Sequence, residues 1–262
     1  MSNSKNITSK RFARLILDIG TFLLASGAHC GRVNMNIKRM ADAWGFDVYL
    51  QPTFKGLLVS VQNKNNENDS ITLFKESPPH VVHLRILTEV SHLTWDVYEE
   101  GLTIEETELA FEKIKKLPHY NMWIVSVAVG LSCAGLCLLS QGDVYNALIA
   151  LMAATVGSVC RFKISNMQFN PMIAISIAAF ITTFITGLGS VFQIGTSPEA
   201  AMATAVLYLI PGVPLINTII DLIEGYISSA INRAMFSGLI LLTIAVGMTL
   251  CITLLGISNF NL

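Results

Sequence analysis

The chain is poor in charge and in cysteine, and both shortages narrow its function before any motif is read. Only 13% of its 262 residues are charged, 17 basic against 18 acidic, for a formal net charge of −1. A balance so close to zero, with no Lys/Arg-rich run, lacks the electrostatic footprint of a nucleic-acid binder, so nucleic acid is not an expected partner. The five cysteines (Cys30, Cys133, Cys137, Cys160, Cys251) are scattered, four of them in apolar stretches where Cys acts as a small hydrophobe. No structural disulfide is expected. Phosphate loops of the Walker type, nucleotide-binding glycine motifs and nucleophile elbows are all missing, which disfavours direct use of ATP and offers neither a cofactor nor an enzyme signature. His80 and His83 stand three apart, with His29, Cys30 and His92 elsewhere, but they make no recognised zinc spacing, and no metal is expected.

Charge is also unevenly spread. Met1 to Asn121 carries 14 Lys/Arg and 14 Asp/Glu, whereas Met122 to Leu262 has only Arg161, Lys163, Arg233, Asp143, Glu199, Asp221 and Glu224. This divides the chain into a cytoplasmic α/β domain over 1–120 and a transmembrane helical domain over 121–262, an α-helical polytopic membrane domain of about five spans. A span needs about 20 mostly apolar residues. Five candidates are Met122 to Ser140, Tyr145 to Cys160, Pro171 to Phe192, Glu199 to Ile210 continuing irregularly, and Phe236 to Gly256. If the spans alternate and the N-terminal half is cytoplasmic, every Lys/Arg falls on one side, as the positive-inside bias asks. The expected placement is multi-pass in the cell membrane, N-terminus inside and C-terminus outside. Leu15 to Ala25, after Lys10, Arg11 and Arg14, superficially resembles a secretory leader, but Asp18 interrupts it and an amphipathic helix is expected instead.

Small residues let helices approach closely in lipid, and Ala150, Ala153, Ala154, Gly157 and Ser158, with Gly130 near Gly135, have the spacing of packing faces. Thr182, Thr183, Thr186, Gly187, Gly189 and Ser190 make the later half of span three more polar. They would either line a watered path, with Thr186 in it, or bond back to their own helix. Arg161 and Lys163 are expected mainly as topological anchors at the end of span two, with recognition of an anionic group as the alternative for Arg161.

The most informative stretch is Pro211-Gly212-Val213-Pro214, which interrupts an apolar run. Two prolines remove two backbone donors and Gly212 permits unusual torsions, so one span is broken here. Irregular backbone at membrane depth is tolerated where protein buries it or a cavity hydrates it, a device transporters use to hold substrates and ions. Beyond the break, Asn217, Asp221, Glu224 and Ser228 recur at helical spacing on one face, opposite Ile216, Ile220, Ile223 and Ile227. That face either projects into a substrate or proton path, led by Asp221 with Asn217 and less by Glu224, or lies in water at the membrane surface.

The N-terminal half reads as helices at Lys10 to Ala25 and Asn36 to Trp44. Short strands follow at Asp47 to Gln51, Gly56 to Gln62 and Ser70 to Phe74 around the polar turn 63–69. A helix over about Val81 to Glu100 precedes another that opens with a capping box, Thr103 to Glu106.

Three stretches together resemble the N-terminal half of the threonine/serine exporter family: Ser26-Gly27-Ala28 with Arg32-Val33; Thr103 through Pro118-His119-Tyr120; and Pro211-Gly212-Val213-Pro214-Leu215-Ile216-Asn217 with Asp221. The resemblance implies a cytoplasmic domain plus about five spans in a secondary exporter driven by the proton-motive force. It further implies a small polar metabolite as cargo, threonine/serine first and a succinate-like dicarboxylate as the alternative. Besides the lipid bilayer, the implied partner is a second small membrane subunit or further copies of this chain. A membrane-anchored cytoplasmic enzyme or sensor is the competing class. Between Ala28 and Arg32, His29-Cys30-Gly31 is read as a variable stretch with no assigned role.

Overall fold

The computed structural model describes residues 7–53, 55–79, 81–118, 120–167 and 169–257, so His80 and His119 lie outside the described residues. The protein is mostly helical and divides into two compact units, Met1–His119 with Gly212–Met235, and Tyr120–Pro211 with Phe236–Leu262. Residues 212–235, in the membrane half by sequence, thus cluster with the N-terminal one.

In the first unit α1 (Ser9–Ala25) and α2 (Cys30–Trp44) precede three strands, β1 (Phe46–Thr53), β2 (Gly56–Asn63) and β3 (Asn66–Glu76). These form one antiparallel sheet in the order β1-β2-β3. The polar turn is tighter than expected, because Asn66 already pairs with Asn63 and β3 starts four residues earlier than the apolar alternation suggested. α3 (Leu84–Glu99) and α4 (Ile104–Lys115) complete the N-terminal part, and the Thr103–Glu106 capping box forms as read.

The stretch with the look of a leader is core. Phe12, Ile16, Ile19 and Leu23 of α1 are fully buried, with Leu57, Val59 and Val61 of β2 among the residues of the same cluster. Phe12 stacks on Phe46 at 4.5 Å and meets Trp44 edge-on at 5.6 Å. α2 begins six residues before its apolar periodicity does. His29 caps it by accepting from the Arg32 amide, a role that Ser, Thr, Asp or Asn fill far more often.

The second unit contains α5 (Met122–Leu139), α6 (Val144–Asn166), α7 (Pro171–Val191), α8 (Pro198–Ala205) and a 3-10 turn at Leu207–Leu209. α9 (Gly212–Ile223) belongs to the first unit, and α10 (Ile227–Leu255) contributes its first residues to the first unit and the rest to the second. Four helices, α5, α6, α7 and α10, are long and apolar enough to cross a membrane, and α8 with its 3-10 turn plus α9 make a fifth candidate broken by a bend. Two of these outrun the expected spans: α6 continues six residues past Cys160, and α10 begins nine residues before Phe236.

Small residues fill the interior of this unit. Ala147, Ala150, Ala153, Ala201 and Ala205 pack with Cys137, while Ser126 of α5 bonds Ser158 of α6 at 3.1 Å. A Cβ on Gly130 would sit 2.7 Å from the Leu151 carbonyl, so α5 and α6 approach too closely for any larger residue. Gly135 faces open space, contrary to its reading as part of that face. Outward positions such as Ile124, Leu131, Leu242, Val246 and Leu250 are apolar and exposed, the inverse of a water-soluble helix.

Phe12→Ala removes a fully buried ring held by two aromatic neighbours. We expect it to destabilise the first unit by about 3–5 kcal/mol, seen as faster limited proteolysis of the N-terminal half in intact membranes, with Phe12→Leu much milder.

Candidate functional site

The break behaves as local chemistry dictates. Ile210, just before Pro211, is extended, as a residue preceding proline must be. α9 then starts at Gly212, which puts Pro214 in the first turn, where a missing amide costs no helical bond. Its end is equally well defined: Gly225 takes φ +85, its amide bonds the Leu222 carbonyl, and the Tyr226 amide bonds the Asp221 carbonyl. This is the Schellman arrangement that glycine favours. The stop shifts the helical phase. Ser228, expected on the polar face, is exposed, and Ser229 is buried in its place and donates to the Pro52 carbonyl at 3.0 Å.

α9 is amphipathic in an inverted sense. Ile216, Ile219, Leu222 and Ile223 are exposed, while Asn217 and Asp221 are buried within the first unit. Asp221 Oδ1 accepts from the Cys30 amide at 2.7 Å, and Glu224 Oε2 accepts from the Gly31 amide at 3.0 Å. Two carboxylates from one helix thus hold the first two amides of α2, groups that have no partner inside their own helix and carry the positive end of its dipole. Asn217 donates to the Gly27 carbonyl at 2.8 Å. Arg233, from the first turns of α10, donates to the Ala28 carbonyl at 2.9 Å and puts Nε 3.1 Å from Asp221 Oδ2. That oxygen has ion-pair contact but no aligned hydrogen bond. Asp221 is 0% and Arg233 11% exposed, so this is a buried pair, and loss of one partner from such a pair costs about 3–5 kcal/mol.

His29 connects the cluster to solvent. Its Nδ1 lies 3.3 Å from the Arg32 amide and 3.2 Å from Glu224 Oε2. A neutral ring can accept from the amide through that nitrogen, whereas a ring carrying a proton there donates to Glu224, so the two contacts call for different protonation states. His29, Asp221 and Glu224 have ligand atoms within 4.8 Å of one another, a spacing that would admit a cation. The guanidinium on Asp221 and the amides on both carboxylates already occupy that role. Burial pushes the Cys30 thiol up to about 11; the negative Asp221 adds to the rise and a hydrogen bond with Ser229 opposes it.

Of the residues singled out in the sequence, Asn217, Asp221 and Glu224 converge on one place. Glu224, expected to stand a turn apart, shares the cluster. Pro211, Gly212 and Pro214 do not reach it: Asp221 lies nine residues beyond Gly212, roughly 13 Å along the helix, and its bonds go to α2 rather than to backbone at the break. Thr186 lies in the second unit, where its hydroxyl bonds back to the carbonyls of Thr182 and Thr183 at 3.1 Å each. Sequence reasoning missed His29, Cys30, Gly31 and Arg233. One signal was available in Gly31, where a Cβ would lie 2.1 Å from Glu224 Oε2, but it shows only once the two segments, some 190 residues apart, are together.

Apolar spans, a proline-broken helix and a helix face that buries Asn217 and Asp221 are features of a polytopic membrane protein of the transporter type. The chain belongs to the threonine/serine exporter family: the family model ThrE, described as "Putative threonine/serine exporter", matches residues 14–255. It is 30% identical over 250 residues to the "Probable succinate transporter subunit YjjP" of Escherichia coli, covering 94% of this chain and 96% of that one. The protein of the same name from Klebsiella aerogenes is 29% identical over 248 residues, 94% of this chain and 95% of that one. The "Probable threonine/serine exporter" of Mycobacterium tuberculosis is 20% identical over 257 residues, 97% of this chain but 48% of that protein. No solved structure matches.

Asp221→Asn should loosen the start of α2. In a background where the other four cysteines are alanine, alkylation of Cys30 at a pH of about 8 is expected to be slow, since roughly one thiol in a thousand is ionised that far below its pKa. Asp221→Asn should speed it about tenfold or more and Glu224→Gln less, as read by mass spectrometry. An unchanged rate in both would show that the carboxylates do not hold this segment.

Proposed function

We propose that the chain is one subunit of a secondary exporter of small, carboxylate-bearing polar metabolites, driven by the proton-motive force and without enzymatic activity of its own. The observation that carries this reading is the buried Asp221–Arg233 pair on a helix that directly follows a proline break and exposes its apolar side. A tether for a cytoplasmic enzyme or sensor has no use for such a pair, because desolvating it costs several kcal/mol per ion. A carrier that responds to protons has a use for it. Protonating Asp221 or Glu224 removes the charge that faces Arg233 and the start of α2, and so weakens the hold of α9 on α2. α9 is joined through the chain to the membrane unit at Pro211, and α10 continues into that unit at Phe236.

A partner is supported by the name of a relative. The chain covers 96% of a protein named as a transporter subunit and 48% of the longer threonine/serine exporter. Its partner is a separate small membrane protein, or further copies of this chain. Threonine or serine is the cargo that the family description names, and the near full-length likeness to a succinate transporter subunit favours a dicarboxylate. The N-terminal unit is cytoplasmic and the C-terminus outside, since all 14 basic residues of the first half then lie on the inner side.

Reporter fusions test the orientation: a C-terminal reporter should be active only outside, and activity only inside would overturn the span count or the orientation. For transport, cells expressing the chain with its neighbouring membrane subunit should release labelled succinate or threonine in proportion to the pH gradient. Asp221→Asn should remove that dependence while the protein remains inserted, and Glu224→Gln should weaken it less. If Asp221→Asn exports with the parent's pH dependence, the cluster is structural and plays no part in coupling.

A further inference from the structure

α6 carries one stripe into the interior of the second unit: Asn146, Ala150, Ala153, Ala154, Gly157 and Ser158 are all buried. The next position on that stripe, one turn beyond Gly157, is Arg161. The helix does not end there but runs on to Asn166, about a turn and a half further. It is half-buried, whereas its neighbours Phe162 and Lys163 are exposed.

One turn before Arg161 the same face of α6 meets hydroxyls rather than carboxylates. Tyr208 lies in the 3-10 turn just before the proline break, and its hydroxyl bonds Thr182 of α7 at 3.2 Å. Gly157 makes room for both: a Cβ there would lie 2.1 Å from Thr182 Oγ1 and 2.5 Å from the Tyr208 hydroxyl. Among the described residues Arg161 has neither an ion pair nor a hydrogen bond. Tyr208 also lines an open, mostly apolar groove of 470 Å³ with Ser132, Cys133 and Leu136, a groove that neither Arg161 nor Thr182 lines. A half-buried guanidinium on this stripe, without a counter-charge among the described residues, is costly unless an anion completes it, and its planar fork matches a carboxylate.

We propose that Arg161, with the hydroxyls of Tyr208 and Thr182, forms a subsite for the carboxylate group of the cargo. The inference rests on the exporter reading and adds to it the group recognised and the residues that recognise it. An anionic lipid headgroup offers the same oxygen chemistry, so the test separates the two sources.

The purified full chain, in nanodiscs of phosphatidylcholine alone, is titrated with labelled succinate and labelled threonine. Saturable binding of at least one is expected. Arg161→Gln should weaken it by about a hundredfold, Arg161→Lys by about tenfold through loss of the two-pronged geometry, and Tyr208→Phe by several-fold. Lys163→Gln should leave it unchanged. Circular dichroism and thermal unfolding of each variant identify any that merely fail to fold, and Arg161→Lys, which keeps the charge, then carries the comparison. Parent binding that Arg161→Gln or Arg161→Lys leaves untouched overturns the subsite, as does a parent that binds neither probe. Retention of phosphatidylglycerol by the parent but not by Arg161→Gln, without binding of either probe, assigns the residue to lipid and also overturns it. Binding that depends on Arg161 in a chain whose cells export neither compound would leave the subsite standing and remove the exporter reading.

Discussion

Two amide hydrogen bonds organise the first unit: those from Cys30 and Gly31, at the start of α2, to Asp221 and Glu224 of α9. Helix starts are short of acceptors, and a carboxylate meets both the free amide and the local positive charge. Because both acceptors sit on one helix, a segment from far along the chain is held at a defined register against the N-terminal module. The stop at Gly225 follows directly from that arrangement. By ending α9 within a residue of Glu224, it turns the chain so that Arg233 comes back over Asp221 and the Ala28 carbonyl. The buried pair itself contributes little net stability against an apolar substitute, since desolvation offsets most of its attraction. Its effect is on specificity, because few other placements of α9 would leave all these groups satisfied.

The second unit obeys a different constraint. In lipid there is no hydrophobic drive between helices, so contact depends on close approach, and alanine, glycine and serine line the faces of α5, α6, α7 and α8 that meet. Several hydroxyls on these faces are satisfied locally, while that of Thr183 is buried without a hydrogen-bond partner. Thr186 bonds its own helix, Ser126 bonds Ser158, and Thr182 bonds Tyr208. Two residues of α6 stand apart: Asn146 is fully buried with no hydrogen-bond partner for its side chain, and Arg161 is half-buried with no counter-charge among the described residues.

Four of the seven charged residues outside the N-terminal half fall into two groups. Asp221, Glu224 and Arg233 offset one another's charge, and that of the start of a helix, inside the first unit. Arg161 lacks such a counterpart among the described residues.

The sequence by itself determined the elements whose cause is local. Long apolar runs, the proline break, the capping box at Thr103 and the alternation in β2 follow from composition and periodicity, and apart from the end of α6 and the start of α10 each formed within a few residues of expectation. The polar face of α9 was legible for the same reason, since Asn217 and Asp221 repeat at helical spacing. Element ends were less legible. α2 starts early because an unusual cap, His29, serves where only the three-dimensional surroundings make it effective, and α6 outlasts its apolar stretch because Arg161 and Lys163 do not break a helix. Tertiary structure alone decided what α9 meets. Asp221 could equally have faced water or a path, and no local pattern links it to Cys30 across 191 residues. It likewise decided that Arg161 is half-buried while Phe162 and Lys163 are exposed, because which face of a helix its neighbours cover is set by packing between segments rather than by any one of them.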